Sequence, residues 1–279
     1  MPRVSIVIPC YNHGQYVDEA VNSCLAQSYD DIEIIIVNDG STDEATNTLL
    51  NNYSKPKTKV INKQNEGLAE ARNTGIAAAT GKYILPLDAD DKIGPTYIEK
   101  AVNVIENNDK IGIVYCLAEF FGAKQGLWPL KEYKFPDILN SNRIFCTALF
   151  RKSDWEKVGG YKKEMIYGLE DYEFWLSLIE NGVGVYRIPE VLFYYRQHEV
   201  SMITKLSDSL EKYTFSFNKI FSFHTDMYKQ NYNFLAKSMR RRFDAFCGKK
   251  PPFLYKEKTS SHKIYHIGKL QIKLRRNKK

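Results

Sequence analysis

The chain has 279 residues, of which 43% are hydrophobic, so it can bury a substantial core without disulfide or metal crosslinks. Its five cysteines form no C-x-x-C pair, which argues against a zinc module, and no apolar run approaches the roughly 20 residues that span a bilayer, so we expect neither a transmembrane helix nor a signal peptide. The net charge of +7 is uneven: residues 236–279 hold fifteen Lys and Arg residues and two acidic ones, which leaves −6 on residues 1–235 and argues against a general polyanion-binding body.

The first half of the sequence alternates predicted strands with predicted helices. Val4–Pro9 and Ile32–Val37 are short, apolar and rich in β-branched residues, as expected of strands buried on both faces of a parallel sheet. An S-x-x-E capping box at Ser41 predicts the start of a helix. The predicted strands are 4–9, 32–37, 59–62, 83–87 and 111–121, and the predicted helices are 16–27, 41–53, 68–79 and 95–107. This order predicts an α/β fold with a mostly parallel, Rossmann-like sheet and helices on both faces, whose ligands lie beyond the carboxyl ends of the strands.

The second half of the sequence is less regular. Residues 124–138 form an aromatic-rich segment, which we interpret as a loop suited to covering a cleft, and a second capping box begins at Ser153. Further strands are predicted at 144–150, 183–188 and 191–195, and further helices at 153–158, at 171–181 and from about Lys205. We therefore expect a domain over residues 1–204, with halves at 1–110 and 111–204, followed by a helical, basic C-terminal extension over residues 205–279.

Three carboxylates stand within four residues directly after the strand predicted at 83–87, at Asp88, Asp90 and Asp91. Like charges this close repel each other unless a cation or hydrogen-bond donors compensate them. Oxygen ligands suit Mg²⁺ or Mn²⁺, which typically use one or two protein carboxylates and complete their shell with water and phosphate oxygens. The position at the carboxyl end of a strand favours a metal site. The alternative is an acidic turn that caps the helix after Pro95.

Four short motifs occur in series within residues 3–110. They are V-S-I-V-I-P-C-Y-N at 4–12, V-N-D-G-S-T-D at 37–43, N-E-G-L-A-E-A-R-N at 65–73 and L-D-A-D-D at 87–91. Together they resemble the family 2 glycosyltransferases, which have a GT-A fold and depend on nucleotide sugars. The resemblance implies an inverting transfer. The Q-x-x-R-W motif of the membrane-embedded processive synthases in this family is absent, which favours a non-processive enzyme of the bacterial polysaccharide type.

The resemblance implies which residues hold the nucleotide base, usually uracil. The segment at Pro9, Tyr11 and Asn12 corresponds to one base contact, and the carboxylate of Asp39 corresponds to the acceptor for the ring N–H. Arg72 corresponds to a support for the base and the phosphates. The alternatives are a helix cap for Asp39 and a solvated charge on an Ala-rich helix for Arg72.

The resemblance also divides the acidic triplet and assigns the metal. Asp88, with Ala89 beside it, corresponds to the ribose contact, and Asp90 corresponds to the ligand of Mn²⁺ or Mg²⁺. Asp91 orients the loop or has no assigned role. His198 follows a predicted strand and corresponds to a residue near the diphosphate or the metal, although a lone histidine is as often an ordinary surface or core group.

A second group of polar residues lies in the helix predicted at 171–181. At helical spacing Asp171 shares a face with apolar side chains and points inward, whereas Glu173 and Ser177 share the opposite, polar face. An inward carboxylate implies either a capping role or a role in the cleft. The resemblance implies that Asp171 is the catalytic base. It further implies acceptor contacts or supports at Glu170, Trp175 and Arg196.

The expected partners follow from the resemblance and from the basic tail. We expect a nucleotide-sugar donor and a glycan or lipid-linked saccharide acceptor, and not nucleic acid, because the body is acidic. Residues 236–279 either pack on the body with a solvated basic face or attach a cytoplasmic enzyme to the anionic inner face of the cytoplasmic membrane. The alternative function is that of a nucleotidyltransferase or another Mg-dependent nucleotide-binding protein, but no Gly-rich phosphate loop with a following Lys lies near the first strand.

Overall fold

The computed structural model of the chain divides into two units. It describes residues 1–198, 209–246, 254–258, 262–267 and 270–275. The first unit contains residues 1–134 and 142–225, and the second contains residues 135–141 and 226–279. The first unit extends beyond the boundary at residue 204 that the composition predicts, because a further helix and the residues after it belong with the body.

The first unit is built on a nine-stranded sheet. Its elements up to the centre of the chain are β1 (Val4–Cys10), α1 (Gly14–Leu25), β2 (Ile32–Asp39), α2 (Glu44–Asn51), β3 (Thr58–Lys63), α3 (Leu68–Ala77), β4 (Tyr83–Pro86), β5 (Lys92–Ile93) and α4 (Tyr97–Glu106). They continue with β6 (Ile111–Gly122), β7 (Gly126–Leu127), β8 (Leu149–Arg151), α5 (Lys152–Val158), α6 (Glu170–Glu180), β9 (Gly184–Gln197) and α7 (Leu210–Phe223).

The strands of this sheet follow the order β3-β2-β1-β4-β8-β6-β9-β5, and β7 pairs with β6. Strands β1 to β4 are mutually parallel where they pair, and β6 and β9 are parallel to each other. The short strand β8 lies antiparallel between β4 and β6 and so joins the two parallel blocks. The mostly parallel α/β fold that the sequence predicts is confirmed.

The core lies where the apolar strands meet the apolar stripes of the helices. Every residue of β1 is buried, and α1 turns Val17, Val21 and Cys24 toward the sheet at helical spacing. Burial of one such aliphatic side chain contributes roughly 1.5–3 kcal/mol, so Ile6→Ala in β1 would destabilise the fold by about 3 kcal/mol. This packing fixes the carboxyl ends of the strands, where the polar motifs lie.

Both predicted capping boxes are wrong. Helix α2 is capped by Asp43, whose side chain accepts a hydrogen bond from the Thr46 backbone N–H, while the Ser41 hydroxyl accepts one from the Asn12 backbone. Helix α5 begins after Arg151 without a side-chain cap. Serine side chains also form hydrogen bonds in turns, so an S-x-x-E pattern does not by itself fix the capping residue. Contacts with distant residues decide where each helix begins.

The strands of the second half also differ from the prediction. Residues 144–148 are not a strand, and β8 contains only Leu149–Arg151. The two strands predicted around Pro189 are one long strand, β9, whose pairing with β6 shifts register between Ile188 and Val191. Proline has no N–H for the ladder, and the register shift lets the strand continue past it.

The predicted polar face of α6 is buried. Glu173 is 0% exposed and Ser177 is 8% exposed, and His224, which directly follows α7, lies 3.4 Å from the Glu173 carboxylate. The Ser177 hydroxyl donates to Glu173, and His224 Nδ1 lies 2.7 Å from the Glu180 carboxylate. The sequence indicated a polar stripe on this helix, but the histidine that binds it lies 44 residues after Glu180 in the chain.

The second unit combines helices with a small sheet. Its elements are a 3-10 turn (Asp137–Asn140), α8 (Thr225–Gln230), α9 (Tyr232–Phe246), β10 (Leu254–Lys258), β11 (His262–Ile267) and β12 (Leu270–Arg275). The last three form an antiparallel sheet, so the prediction of a helical extension is correct only as far as α9. The alternation of Leu270, Ile272 and Leu274 with polar residues is typical of a strand and could have indicated it. Among the described residues, no helix is long and apolar enough to cross a membrane.

Candidate active site

The acidic turn that follows β4 is held from both sides. Asp91 is 0% exposed, and its carboxylate accepts a hydrogen bond from the Arg196 backbone N–H at 2.8 Å. Burial, together with the charges of Asp90 and Asp88, raises the pKa of Asp91 well above its usual range. The next helix, α4, has Thr96 at its N-cap position and no side-chain cap, so the turn does not serve as a helix cap.

Asp90 is the meeting point of two histidines. Its Oδ2 lies 2.7 Å from His198 Nε2 and 3.8 Å from His13 Nδ1, and its side chain is 15% exposed. Tyr16 packs against both imidazole rings, with centroid distances of 5.8 and 5.4 Å. The structure thus brings the predicted metal residues Asp90 and His198 together, and it adds His13.

This donor set fits a divalent cation that also binds phosphate. Within the described ranges, no cluster of three or more His, Cys, Asp and Glu side chains could hold a metal ion. Asp90 supplies an oxygen and His198 a nitrogen, and the two atoms lie 2.7 Å apart. Mg²⁺ and Mn²⁺ are commonly held by one or two protein ligands, and diphosphate oxygens complete their coordination shell. The residues therefore fit a divalent metal whose remaining ligands are water or phosphate oxygens.

Arg196 supports the acidic turn. Its Nε donates to the backbone oxygen of Asp90 at 2.8 Å, and its guanidinium also pairs with Glu19. The guanidinium lies between the rings of Tyr16 and Phe121, 4.7 and 4.3 Å from their centroids. These contacts place Arg196 against the acidic turn, where it holds the backbone of Asp90.

The carboxylate of Asp39, at the end of β2, is buried and organises the loop before α3. It accepts from the backbone N–H groups of Glu66 and Gly67, at 3.1 and 3.0 Å, and from Lys63 at 3.1 Å. Asp39 does not cap α2, so that alternative is wrong. The neighbouring Gly40 has φ +64°, and a Cβ there would lie 2.5 Å from the Asn65 backbone, so glycine is required at this point.

The three predicted base-contact residues at the end of β1 differ in exposure and in contacts. Pro9 is buried in the strand, whereas Tyr11 is 46% exposed. The Asn12 side chain accepts from the backbone N–H groups of Thr42 and Asp43 and donates to the Thr42 hydroxyl. These bonds join the turns after β1 and β2, so Asn12 shapes the site, and Tyr11 offers the exposed aromatic ring.

Arg72 is a buried bridge between the two halves of the site. Its guanidinium is 1% exposed, donates to Asp88 at 2.7 Å and forms a short ion pair with Glu170. Burial alone would lower the pKa of Arg72, but the carboxylates of Asp88 and Glu170 outweigh it and raise the pKa well above its usual value. The alternative of a solvated charge is wrong, because the charge is enclosed by protein.

Asp171 lies in the first turn of α6 and is half-buried. Its Oδ1 accepts from the Tyr172 N–H at 2.7 Å and its Oδ2 from the Asn142 amide at 3.1 Å. Burial and the adjacent Glu170 raise the pKa of Asp171 to about 7, although Arg72 opposes the shift. The N-cap position belongs to Leu169, so Asp171 is not the capping residue. A carboxyl group with this pKa suits proton transfer near neutral pH.

The other residues predicted on the acceptor side have supporting positions. Glu170 is 5% exposed and paired with Arg72. Trp175 is 0% exposed and packs against Phe150 and Phe174, so it fixes α6 in the core. Ala89 is 2% exposed and lets the chain pass between Asp88 and Asp90 without a bulky side chain.

Sequence reasoning missed three polar residues of this site, His13, Asn142 and Cys146. His13 directly follows the first motif, and that position was a usable signal. The Cys146 thiol donates to Asp88 at 3.4 Å, and burial, with the Asp88 charge, raises its pKa well above the usual value, so it stays protonated. Asn142 and Cys146 lie in an irregular segment whose place beside β4 and α6 no local pattern indicates.

Comparison with known proteins agrees with this geometry. A model of the family described as glycosyl transferase family 2 matches residues 5–167, and a model described as the N-terminal domain of galactosyltransferase matches residues 132–204. An uncharacterized glycosyltransferase of Rickettsia prowazekii is 36% identical over 225 residues, which cover 76% of this chain and 69% of that protein. The chondroitin synthase of Escherichia coli is 30% identical over 189 residues, which cover 65% of this chain and 27% of that protein.

Solved structures share the fold. S. aureus TarS in complex with UDP-GlcNAc superposes with a TM-score of 0.61 at 18% identity, over 81% of this chain and 75% of that one. A mannosyltransferase from Pyrobaculum calidifontis in complex with GDP-Man and Mn²⁺ gives a TM-score of 0.57 at 20% identity, over 72% of this chain and 59% of that one. The GT-A prediction is thereby confirmed at the level of the fold.

Proposed function

The chain belongs to glycosyl transferase family 2, and from that premise we propose that it moves a hexose or N-acetylhexosamine from a UDP-linked donor to a hydroxyl group of a glycan or lipid-linked acceptor in the synthesis of a cell-surface polysaccharide. The same premise removes the support for a nucleotidyltransferase. Structural relatives hold UDP-GlcNAc or GDP-Man, and these ligands support a nucleotide sugar as the donor class.

The donor is proposed to bind across the carboxyl ends of β1, β2 and β4. Tyr11 offers an exposed ring for the base, and Asp39, at the end of β2, is the proposed acceptor for its N–H. Asp88 is 28% exposed and keeps oxygen lone pairs beyond its bond to Arg72, which supports its proposed role at the ribose hydroxyls.

Asp90 and His198 are the proposed holders of Mn²⁺ or Mg²⁺. When bound, the metal supplies positive charge at the leaving diphosphate. The protein keeps these two residues in place through Arg196, which binds the Asp90 backbone and stacks on Tyr16. Arg196 thus fixes the backbone of Asp90, and His198 lies against its carboxylate.

Asp171 is the proposed base of a single displacement. An acceptor hydroxyl oxygen bonds to the anomeric carbon as the bond from that carbon to the diphosphate oxygen breaks, and the electron pair leaves with the nucleotide. The hydroxyl proton passes to a carboxylate oxygen of Asp171. Because the hydroxyl attacks from the face opposite the leaving diphosphate, configuration at the anomeric carbon is inverted. The raised pKa of Asp171, about 7, makes it a far stronger base than an ordinary aspartate.

One observation carries the proposal: Arg72 binds Asp88 and Glu170 at once. Asp88 belongs to the acidic turn that contains the proposed metal residue Asp90, and Glu170 directly precedes the proposed base. A single buried side chain thus ties the donor half of the site to the half that would take the acceptor proton. Reaction in line across the two halves requires such a fixed spacing.

The proposal is tested by a screen of nucleotide sugars with the full chain. Release of nucleotide diphosphate is measured for UDP-, GDP- and TDP-linked hexoses and N-acetylhexosamines, with Mn²⁺, with Mg²⁺ and with a chelator. We expect metal-dependent release for one nucleotide class, faster in the presence of a saccharide acceptor, and an inverted anomeric configuration by NMR. Turnover of none of these donors, or a product with retained configuration, would contradict the proposal.

We also propose that the enzyme works at the anionic inner face of the cytoplasmic membrane. Residues 236–279 carry a net charge of +13, and each basic residue near such a surface contributes roughly 1 kcal/mol to attraction. In the part of this segment with described side chains, Met239 is 69% exposed and Lys237 and Arg241 are exposed, which supports a contact surface on α9.

A further inference from the structure

Asn142 holds the carboxylate that we assign as the base, and no family motif contains it. Its side-chain Nδ2 donates to Asp171 Oδ2 at 3.1 Å across 29 residues of chain. Its Oδ1 accepts from the Ile144 backbone N–H at 3.1 Å. Because a backbone N–H can only donate, the amide oxygen must face Ile144 and the NH₂ group must face Asp171. The orientation of this amide is therefore fixed by its own contacts.

The two oxygens of Asp171 have different anchors. Among the described residues, Oδ1 is bound by the Tyr172 N–H within the helix, and Oδ2 is bound from outside the helix, by Asn142. Rotation of the carboxyl group about its terminal bond would break both bonds together. The Asn142 contact thus decides which lone pairs stay available for the acceptor proton.

We propose that Asn142 is a positioning residue for the catalytic base, one that orients the Asp171 carboxylate and favours its charged form by donating to Oδ2. The inference depends on the proposed function, because it assigns Asn142 a role through Asp171. It goes beyond that function because it places a specific determinant of the base in the irregular segment before β8.

The charges around Asp171 explain why such a donor matters. Glu170 precedes it on the same helix, Arg72 approaches from α3, and Asp88 lies beyond Arg72. The charge of Asp171 also raises the pKa of Cys146 and of Tyr161, for both of which burial is the larger cause. Arg72 is already shared between Asp88 and Glu170, so the neutral Asn142 amide is the side-chain donor that serves Asp171 itself.

Asn142→Asp is the sharpest test, because it changes few atoms. The new carboxylate keeps an oxygen for the Ile144 N–H, removes the donor to Asp171 and adds a negative charge about 3 Å from it. Two carboxylates this close cannot both ionise easily. We expect the acidic limb of the kcat profile against pH to move upward by about two units. Asn142→Ala, which only removes the donor, is expected to move the limb upward by about one unit.

The other kinetic constants separate positioning from general damage. The donor KM is expected to change less than about threefold, and kcat of Asn142→Ala is expected to recover to within about fivefold of wild type above the shifted limb. Asn181→Asp is the matched control: this residue lies at the other end of α6, where its amide donates to the Ser177 backbone oxygen. It adds the same charge at the far end of the helix that carries Asp171, and its pH limb should stay in place.

The outcomes are distinguishable. Limb shifts in the Asn142 variants, absent in the control, support the proposal, whereas unshifted limbs overturn it, whatever the change in kcat. If Asn142→Ala does not fold, Asn142→Leu removes the donor at nearly constant volume. Its acidic limb is expected to shift as predicted for Asn142→Ala. Asp171→Asn is measured in parallel. If that variant retains transfer, the assignment of the base fails; if it is inactive while the Asn142 limbs do not move, only the positioning role fails.

Discussion

Arg72, on α3, and Glu170, the first residue of α6, form an ion pair in which both side chains are almost wholly enclosed, at 1% and 6% exposure. They stand 98 residues apart in the chain. The same guanidinium binds Asp88 after β4. A charge buried in this way is stable only with its partners in place, so the pair ties the folding of the site to the spacing between its donor and acceptor halves.

Loss of this buried charge should destabilise the fold. We expect Arg72→Met to lower the free energy of unfolding by about 3–5 kcal/mol, because Glu170 is left as an unpaired buried carboxylate. The double variant Arg72→Met, Glu170→Gln should lose at least about 1 kcal/mol less than the sum of the single variants. Chemical denaturation measures both. Arg187→Met, at a pair whose Glu132 side chain is 68% exposed, is the control and should cost under about 1 kcal/mol.

The base assignment predicts a specific pH dependence. Because the pKa of Asp171 is raised to about 7, kcat should fall about tenfold per pH unit below that value, as the base becomes protonated. Asp171→Asn should lower kcat by at least about 100-fold with the donor dissociation constant unchanged within about threefold. Steady-state kinetics and calorimetry check the two parts. Asp154→Asn, in α5, is the control, and turnover of Asp171→Asn near the wild-type rate would refute the assignment.

The metal assignment predicts a loss that depends on the cation. Asp90→Ala and His198→Ala should each weaken binding of a nucleoside diphosphate in Mn²⁺ by about 10-fold or more, while binding in the presence of a chelator stays the same. Isothermal calorimetry with and without the cation gives the comparison. His13→Ala should have a smaller effect, because its Nδ1 lies 3.8 Å from Asp90 rather than 2.7 Å. If Asp90→Ala binds the nucleoside diphosphate in Mn²⁺ as tightly as wild type, the assignment of Asp90 as a metal ligand is wrong.

His224 should make stability depend on pH. Burial tends to lower its pKa, but the carboxylates of Glu173 and Glu180 outweigh this and raise it above its usual value. A raised pKa stabilises the folded state fully below pH about 6.5, and this contribution is lost as pH rises through the folded-state value. The difference in unfolding free energy between wild type and His224→Gln should therefore shrink from pH 6 to pH 9. A constant difference would show that the pair carries no charge.

The basic tail should bind anionic membranes. We expect the full chain to float with vesicles that contain phosphatidylglycerol and not with pure phosphatidylcholine vesicles, with binding weakened by salt. Replacement of seven of the Lys and Arg residues of 236–279 by Gln should strongly weaken flotation, whereas replacement of the seven exposed Lys residues of 1–134 should not. Equal flotation of both variants would exclude the tail as the attachment site.

Much of the fold was predictable because its signals are local. The apolar run of Val4–Cys10 predicts a strand, and the spacing of Val17, Val21 and Cys24 predicts a helix, each from a few neighbouring residues. The elements that the sequence misplaced are those set by distant partners. Helix α2 is capped by Asp43 rather than Ser41, whose hydroxyl bonds to Asn12 instead. Strand β9 continues past Pro189 because it pairs with β6 on both sides of the register shift.

The candidate site was predictable only in its motifs. Asp39, Asp90 and Asp171 lie in runs that identify them in the sequence, since each follows a strand or opens a helix. Asn142 and Cys146 have no such signal, because the sequence around a single polar residue in an irregular segment does not indicate which distant residue it contacts. Their contacts with Asp171 and Asp88 appear only when the segment is packed against α6 and β4.

The sequence by itself determined the α/β order of elements, the positions of the acidic turn and the base motif, and the separation of an acidic body from a basic tail. Those properties reside in neighbouring residues, where periodicity and charge can be read directly. Tertiary structure decided what each carboxylate can do. Arg72 became a buried bridge, Arg196 bonds to the backbone of Asp90, and Asp171, the proposed base, has its pKa raised to about 7. Burial and long-range charge contacts set these properties, and both depend on residues that meet only in the folded chain.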